Sequence, residues 1–143
     1  MDSDLEFLSS VWDKFVLLYK SYAASAFIRK GYTIEMLEYD VCDMIAYSSA
    51  DCRDAIFAIK CTLAQPTDAE LFSVFSAKKI HDAPHAAIVT AAPRYDDAVD
   101  KALQLDIFLY HLTADHWHSA SNIPRAEDMT PSPKKKLFFG LRW

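Results

Sequence analysis

The sequence predicts an α/β domain whose elements follow the order αβββαβαβ, with a mixed central sheet flanked by helices. Apolar residues recur every three or four positions near the start of the chain, and twice more further along, as amphipathic helices require. Short runs rich in β-branched and aromatic residues separate these stretches. In the second half of the chain strands and helices alternate, which is the pattern of parallel crossover units.

The first helix is predicted to begin near Ser3 and to end before Gly31. Ser3 and Glu6 form a capping-box pattern, and Gly31 follows Arg29 and Lys30 as a helix-ending glycine preceded by cations. The large apolar residues of this helix share one helical face: Leu5, Leu8, Val11, Trp12, Phe15, Leu18, Tyr19 and Tyr22.

Three consecutive strands are predicted next, and we interpret them as an antiparallel meander. They cover residues 32–39, 41–47 and 55–63, and the polar stretch 51–54 forms the turn between the second and the third. A second capping box, Thr67 with Glu70, begins the next helix. That helix is predicted to end near Ile80, and a strand at 86–91, a helix at 95–105 and a strand at 107–110 follow. The apolar side chains of these two helices are expected to be buried: Leu71, Phe72, Val74, Phe75, Ala98, Val99, Ala102 and Leu103.

We expect one domain over residues 1–112 and an irregular C-terminal arm over 113–143. Residues 113–133 are polar and contain three prolines, whereas the last segment, 137–143, is strongly apolar. Such a tail either folds back onto the domain or docks on another protein. The sequence therefore predicts a protein partner or self-association through residues 137–143.

The charge of the chain is uneven. Residues 1–133 contain 11 Lys and Arg against 20 Asp and Glu, a net charge of −9, whereas residues 134–143 have a net charge of +4. An acidic body disfavours non-specific DNA binding, because affinity for DNA depends on cations that replace counterions. The apolar runs are too short to span a membrane, the N-terminus is acidic, and three cysteines lack metal-site spacing. We expect an intracellular protein, cytoplasmic or nuclear, with reduced thiols and no membrane association.

One strand carries the candidate chemistry. Lys60 lies in the apolar run 55–61, and Asp43 lies in the preceding apolar strand, 41–47. Together with Gly31-Tyr32 and the later strand–helix–strand segment, these residues resemble the PD-(D/E)XK, restriction-endonuclease-like superfamily. The resemblance covers about residues 5–111 and is strongest to the Mrr-type and Holliday-junction-resolvase-like branch.

The resemblance implies Mg²⁺-dependent (or Mn²⁺-dependent) hydrolysis of DNA. Asp43 corresponds to the first metal-binding carboxylate and Lys60 to the catalytic lysine that orients the attacking water. Ala58 stands where the family has its second carboxylate. This leaves a natural pseudo-nuclease, a carboxylate that has moved to another element, or a substitution made to inactivate the protein. Glu70 is the first candidate for a moved metal ligand, with Glu35 and Asp40 behind it.

A DNA-binding groove near Lys60 is predicted to include Lys78, Lys79 and Arg94. The competing hypothesis is a non-catalytic interaction or scaffold subunit that retains the fold and joins a larger assembly through its tail. Simpler explanations also apply to the site residues. Lys60 could lie at a sheet edge or a strand end, Asp43 could only pair with Lys60 or terminate a strand, and Glu70 could be part of a helix cap.

Weaker patterns complete the candidates. Three histidines lie close together in sequence, at positions 111, 116 and 118, and two of them offer a zinc-ligand pair. His81 and His85 flank a proline and are expected at the surface. Ser132 begins a Ser-Pro-Lys-Lys stretch that resembles a proline-directed phosphorylation and minor-groove motif. With two glycines in the chain, a Gly-rich phosphate loop is excluded.

Overall fold

A computed structural model of the protein describes residues 2–38, 41–48, 54–92, 96–112 and 123–129, and only the backbone of residues 2–9 and 96–97. In this part of the chain three α-helices and five strands follow the predicted order and form an α/β structure. The elements are α1 (Asp2–Arg29), β1 (Thr33–Met36), β2 (Met44–Tyr47), β3 (Ala55–Thr62), α2 (Asp68–Ile80), β4 (His85–Thr90), α3 (Asp96–Leu105), β5 (Ile107–His111) and a 3₁₀ turn (Ala126–Asp128).

The five strands form one mixed sheet in chain order. β1, β2 and β3 are antiparallel neighbours, so the predicted meander is confirmed. β3, β4 and β5 are parallel, with α2 and α3 as the two crossover connections. Parallel neighbours need such a crossover because the chain must return to the same end of the sheet.

The helices cover opposite faces of the sheet. α1 packs on the face formed by Phe57, Ile59 and Cys61 of β3, which we call the α1 face. α2 and α3 pack on the other, the α2 face, which carries Ala58. Residues i and i+2 of a strand share a face. The position of a polar residue in a strand therefore determines whether its side chain points to the α1 face or to the α2 face.

Of the α1 side chains that the structure describes, those buried in the core all lie in the C-terminal half of the helix. Its buried residues are mostly small, and Phe27 fills the centre, in edge-to-face contact with Tyr32, Phe57 and Tyr110. Most of the apolar face that the sequence indicates points elsewhere. Trp12, Phe15, Leu18 and Tyr22 of this face are all exposed, because the helix extends past the sheet and turns a different stripe toward it.

Three local predictions need correction. α1 begins at Asp2, so Ser3 lies inside the helix and is not its cap. Phe72 of α2 and Leu103 of α3 were expected in the core, but they are 58% and 74% exposed. The buried stripe of α2 contains Leu71, Val74 and Ala77 instead, because helical spacing turns position 72 away from the sheet. The capping box of Thr67 and Glu70 is confirmed.

Residues 123–129 pack back against the start of the sheet. The Ala126 amide donates to the Lys30 carbonyl at 2.8 Å, and the Tyr32 hydroxyl donates to the Pro124 carbonyl at 2.8 Å. Gly31 has a φ of +97°, which side-chain-bearing residues rarely adopt, and this lets the chain leave α1 for β1. In the described part of the chain, no helix combines the length and the apolar character needed to cross a membrane.

Candidate functional site

Asp43 lies where β2 leaves its pairing with β3. Its backbone amide donates to the Ile59 carbonyl at 2.9 Å. The next residue, Met44, is the first residue of β2 and pairs with Ile59 of β3. Lys60 and Cys61 of β3 extend beyond this point. The structure therefore brings Asp43 beside the strand that carries Lys60, as the resemblance requires.

Both oxygens of the Asp43 carboxylate have partners within the protein. Oδ2 accepts a hydrogen bond from the Cys61 amide at 2.7 Å, and Oδ1 forms an ion pair with Lys20 Nζ of α1 at 3.1 Å. The side chain is only 13% exposed. A charge-assisted hydrogen bond to a backbone amide, together with an ion pair, is a strong arrangement at a largely buried carboxylate. Asp43 thus stabilises the end of β3 and links it to α1.

Ala58 and Lys60 lie on the other face of the same strand. Ala58 is completely buried in the α2-face core with Ile45 and Leu71. The alternation of β3 places Lys60 on that face too, and its side chain is half-buried near the strand end. Asp43, in contrast, is bound by α1, which packs on the opposite face. Asp43 and Lys60 are therefore close in the backbone but engaged from different sides of the sheet.

Cys61 is close enough to Asp43, Lys20 and Lys60 for all three charges to affect its thiol. Burial raises the pKa of the Cys61 thiol far above its usual range, and the Asp43 carboxylate raises it further. Lys20 and Lys60 act in the opposite direction on the same pKa. The cysteine is buried and free of a disulfide, and its thiol is held in the neutral form that makes a cysteine unreactive.

A magnesium site requires several hard oxygen ligands around one point, and this arrangement does not fit that requirement. Asp43 supplies one carboxylate whose oxygens are engaged, and an ammonium group stands at 3.1 Å from it. The Ala58 side chain supplies no oxygen atom. Among the residues that the structure describes, no group of three His, Cys, Asp or Glu side chains is placed to hold a metal ion.

The other predicted metal ligands have structural partners. The Glu70 carboxylate accepts hydrogen bonds from the Thr67 amide at 3.0 Å and the Thr67 hydroxyl at 3.2 Å, which closes the capping box. The Glu35 carboxylate accepts from the Tyr47 hydroxyl at 3.1 Å. Asp40, the third alternative, lies outside the described residues.

The predicted basic groove is only partly described. Lys78 and Lys79 lie in the last turn of α2, with their ammonium groups 5.9 and 4.8 Å from the centre of the Phe75 ring. Their backbone carbonyls accept hydrogen bonds from the turn that precedes β4. The first residue of β4 pairs with Phe57, and Lys60 lies three residues beyond Phe57, about 10 Å along the strand. Arg94 lies outside the described residues.

His85 is half-buried, although it was expected at the surface. Its ring lies 5.5 Å from the rings of both Phe57 and Phe108, measured between centres. Burial lowers the pKa of this imidazole; Asp106 opposes that shift and Lys78 adds to it. Two of the three clustered histidines, at positions 116 and 118, lie outside the described residues, as do Ser132, Cys52 and the tail 137–143.

Lys20 is the site residue that the sequence analysis missed. It precedes Ala23, Ala24 and Phe27 at helical spacings of three, four and seven, so it belongs to the stripe of α1 that faces the sheet. A lysine in a stripe of small buried residues needs a negative partner. That signal was present, but the more prominent aromatic face of α1 concealed it.

Comparison with known proteins identifies no relative: the chain matches no protein-family model, no curated protein and no solved structure.

Proposed function

We propose that this chain is a non-catalytic interaction subunit built on a restriction-endonuclease-like fold. The observation that supports this proposal best is the pairing of Asp43 with Lys20, because it places an ammonium group at the carboxylate that would otherwise bind the metal. The αβββαβαβ order and the position of Asp43 beside β3 favour the nuclease-like fold.

Electrostatics and ligand number both argue against a catalytic metal here. Mg²⁺ takes six oxygen ligands at about 2.0–2.1 Å and dehydrates reluctantly, so it needs an open, negatively charged site. The Asp43–Lys20 pair is formally neutral, so it offers no net negative charge to a divalent cation. A divalent cation placed at Asp43 would have to displace Lys20 and to break the hydrogen bond that holds Cys61.

Ala58 closes the position of the second ligand. Its methyl group is packed among Ile45, Leu71 and other apolar side chains, with no surface exposed to water. A metal bound beside it would lose its water ligands without gaining a carboxylate, and the cost of removing an ion from water is large. We infer that the fold has been kept for its stability and its surface.

The test is a cleavage assay on labelled duplex, single-stranded and branched DNA with Mg²⁺ or Mn²⁺. We expect no cleavage by the wild-type protein, by Lys20→Met or by Ala58→Glu. The double variant Lys20→Met/Ala58→Glu frees Asp43 and restores the second carboxylate. Activity in the double variant alone, lost again when Lys60→Ala is added, would show that these two residues disable a nuclease scaffold.

The control variant is Lys101→Ala. Lys101 is half-exposed and pairs with Asp68 on the α2–α3 side of the molecule, away from Asp43. Metal-dependent cleavage by the wild-type protein that Lys60→Ala abolishes, and that Lys101→Ala leaves unchanged, would overturn the proposal.

A metal-dependent DNA nuclease is the second candidate. The close approach of Asp43 to the strand that carries Lys60 favours it, since this backbone arrangement is the one that the family resemblance implies. This alternative requires Lys20 to leave Asp43 when metal and DNA bind. It predicts that Lys20→Met raises the cleavage rate, whereas the non-catalytic proposal predicts no cleavage by either protein.

A further inference from the structure

The surface of α1 contains a seam of residues that alternate at spacings of four and three, as in a coiled coil. Every member lies within about 60° of one line along the helix, calculated at 100° per residue. The members are Asp4, Leu8, Val11, Phe15, Leu18, Tyr22, Ser25 and Arg29. A spacing of this kind is the a/d pattern by which one helix packs against another.

Between Phe15 and Arg29 the seam is left uncovered by the rest of the described chain. Phe15 and Leu18 are 56% and 64% exposed, and Tyr22, Ser25 and Arg29 are also exposed. The residues of α1 that pack on the sheet, such as Ala23 and Phe27, lie on a different side of the helix. An apolar stripe of this length on a folded domain marks an interaction surface.

Two shallow cavities of about 380 and 390 Å³ run beside the seam. Leu18, Tyr22 and Leu112 line both of them. One extends to Arg29 along Ser21, Ser25 and Ala26, and the short side chains of these three residues leave room for a second helix. The other is bounded by Phe15, Leu63 and Ala91 and is almost entirely apolar in character. The groove thus follows the same line as the exposed aromatic side chains.

We propose that a second copy of this chain fills this groove, with the two α1 helices packed antiparallel about a twofold axis. The proposal deepens the interaction role inferred above, and rests on it, by naming the partner. A twofold axis between positions 15 and 18 pairs 15 with 18, 11 with 22, 8 with 25 and 4 with 29. Each a position then meets a d position of the partner helix, and one surface serves both chains.

Charge favours the same pairing. The N-terminal half of α1 contains four acidic residues, Asp2, Asp4, Glu6 and Asp13, against one lysine at position 14. The C-terminal end contains Arg29 and Lys30. An antiparallel register sets position 4 opposite Arg29, so each acidic half lies beside the basic end of the other helix. Parallel pairing would place like charges together, which is unfavourable.

The small side chains and the protruding ones are placed to fit each other. Position 8 of the partner helix lies opposite Ser25 in this register, and Phe15 of each chain lies opposite Leu18 of the other, beside the apolar cavity. Phe15 is 56% exposed in the single chain, and large aromatic side chains contribute most where they enter a groove. We infer that Phe15 and Tyr22 of the seam are exposed because they belong to this interface.

The experiment is sedimentation velocity on the full chain from about 1 to 100 µM, the range in which small interfaces assemble. We expect a concentration-dependent dimer that is weakened by salt. Phe15→Asp or Leu18→Asp should abolish the dimer. Leu103→Asp is the control: Leu103 lies on α3, away from the seam, and is more exposed than Phe15 or Leu18. This variant should dimerise as the wild type does.

Charge reversal tests the register. Asp4→Arg and Arg29→Asp each place like charges at both ends of the interface, so each variant alone should dimerise at least tenfold more weakly. An equimolar mixture of the two variants restores both pairs and should form a heterodimer. The double variant Asp4→Arg/Arg29→Asp should form a homodimer again.

Three outcomes would overturn this inference. The wild-type chain could stay monomeric over the whole range, the seam variants could dimerise as well as the wild type, or the mixed charge variants could fail to associate. Strong protection of α1 against hydrogen exchange in a monomer would assign the groove to another segment, such as 137–143. The metal and cleavage assays are independent: a monomer without metal chemistry overturns only the pairing, and a dimer that cuts DNA overturns only the non-catalytic role.

Discussion

At the scale of single residues, Asp43 is a structural carboxylate with a specific task. The pairing of β2 with β3 ends at Met44, opposite Ile59. The Cys61 amide lies beyond this point and donates its hydrogen bond to the Asp43 carboxylate instead. Backbone amides in buried positions are nearly always paired, because an unpaired one costs as much as a lost hydrogen bond. Lys20 balances the charge that this requires.

Replacing Asp43 should therefore reduce stability even if the protein binds no metal. We expect Asp43→Ala to lower the free energy of unfolding by about 1–3 kcal/mol, since the Cys61 amide and Lys20 both lose their partner. Asp43→Asn keeps an acceptor and should cost less. Urea denaturation of the three proteins measures the difference. Asp68→Ala is the control, because its ion pair with Lys101 is exposed and should contribute at most about 1 kcal/mol.

Ala58→Glu should be strongly destabilising in the absence of metal. The new carboxylate would replace a completely buried methyl group in an apolar core, which should cost about 3 kcal/mol or more. Ala64→Glu adds the same group to an exposed turn and should change stability by less than about 0.5 kcal/mol. Equal unfolding midpoints for the two variants would mean that position 58 is open to water.

His85 predicts a pH dependence of stability. Its pKa is lowered from 6.5 in the folded protein, so the unfolded chain binds more protons between the lowered value and 6.5. Its contribution is complete above 6.5 and is lost as the pH falls through that window. We expect the urea midpoint to decrease from pH 7 toward pH 5, with a smaller decrease in His85→Gln. A decrease of the same size in His85→Gln would contradict this assignment.

The sequence predicted the proximity of Asp43 to β3, but not what the carboxylate does there. Proximity follows from strand order, which local patterns reveal. The contact with Lys20 depends on the rotation of α1 about its axis, and that rotation is set by which stripe fits the sheet. The small residues Ala23, Ala24 and Ala26 pack more closely than the aromatic face, and propensity alone does not identify them.

At the scale of elements, local chemistry predicted the end of α1 and the start of α2 but not the start of α1, and tertiary packing decided the burial. The capping box at the start of α2 and the glycine after α1 were recognisable, because both depend on neighbouring residues alone. The exposure of Phe72 and Leu103 was not, since it depends on how far each helix is turned toward the sheet.

Two phenylalanines of α1 test that distinction. Phe27 is completely buried and contacts three aromatic rings, so Phe27→Ala should cost about 3–5 kcal/mol of unfolding free energy. Phe15 lies on the exposed seam, and Phe15→Ala should cost less than about 1 kcal/mol in a dilute, monomeric sample. A large loss from Phe15→Ala at low concentration would show that this face is covered within a single chain.

At the scale of the whole molecule, the surface favours protein over DNA as the partner. The chain has a net charge of −5, and the acidic residues concentrate in the body of the domain. Affinity for DNA depends on cations that replace condensed counterions, and the described lysines of the predicted groove are dispersed. The exposed apolar seam of α1 is the more distinctive surface, and it agrees with an interaction subunit.

The measurement that tests the central claim most directly is a Mn²⁺ titration of the wild-type protein, followed by the paramagnetic resonance signal of free Mn²⁺. Because Lys20 occupies Asp43 and the Ala58 side chain offers no ligand, we predict no Mn²⁺ site tighter than about 1 mM that depends on Asp43. A single micromolar site that Asp43→Asn removes would contradict the account and would identify the chain as a metal-binding nuclease.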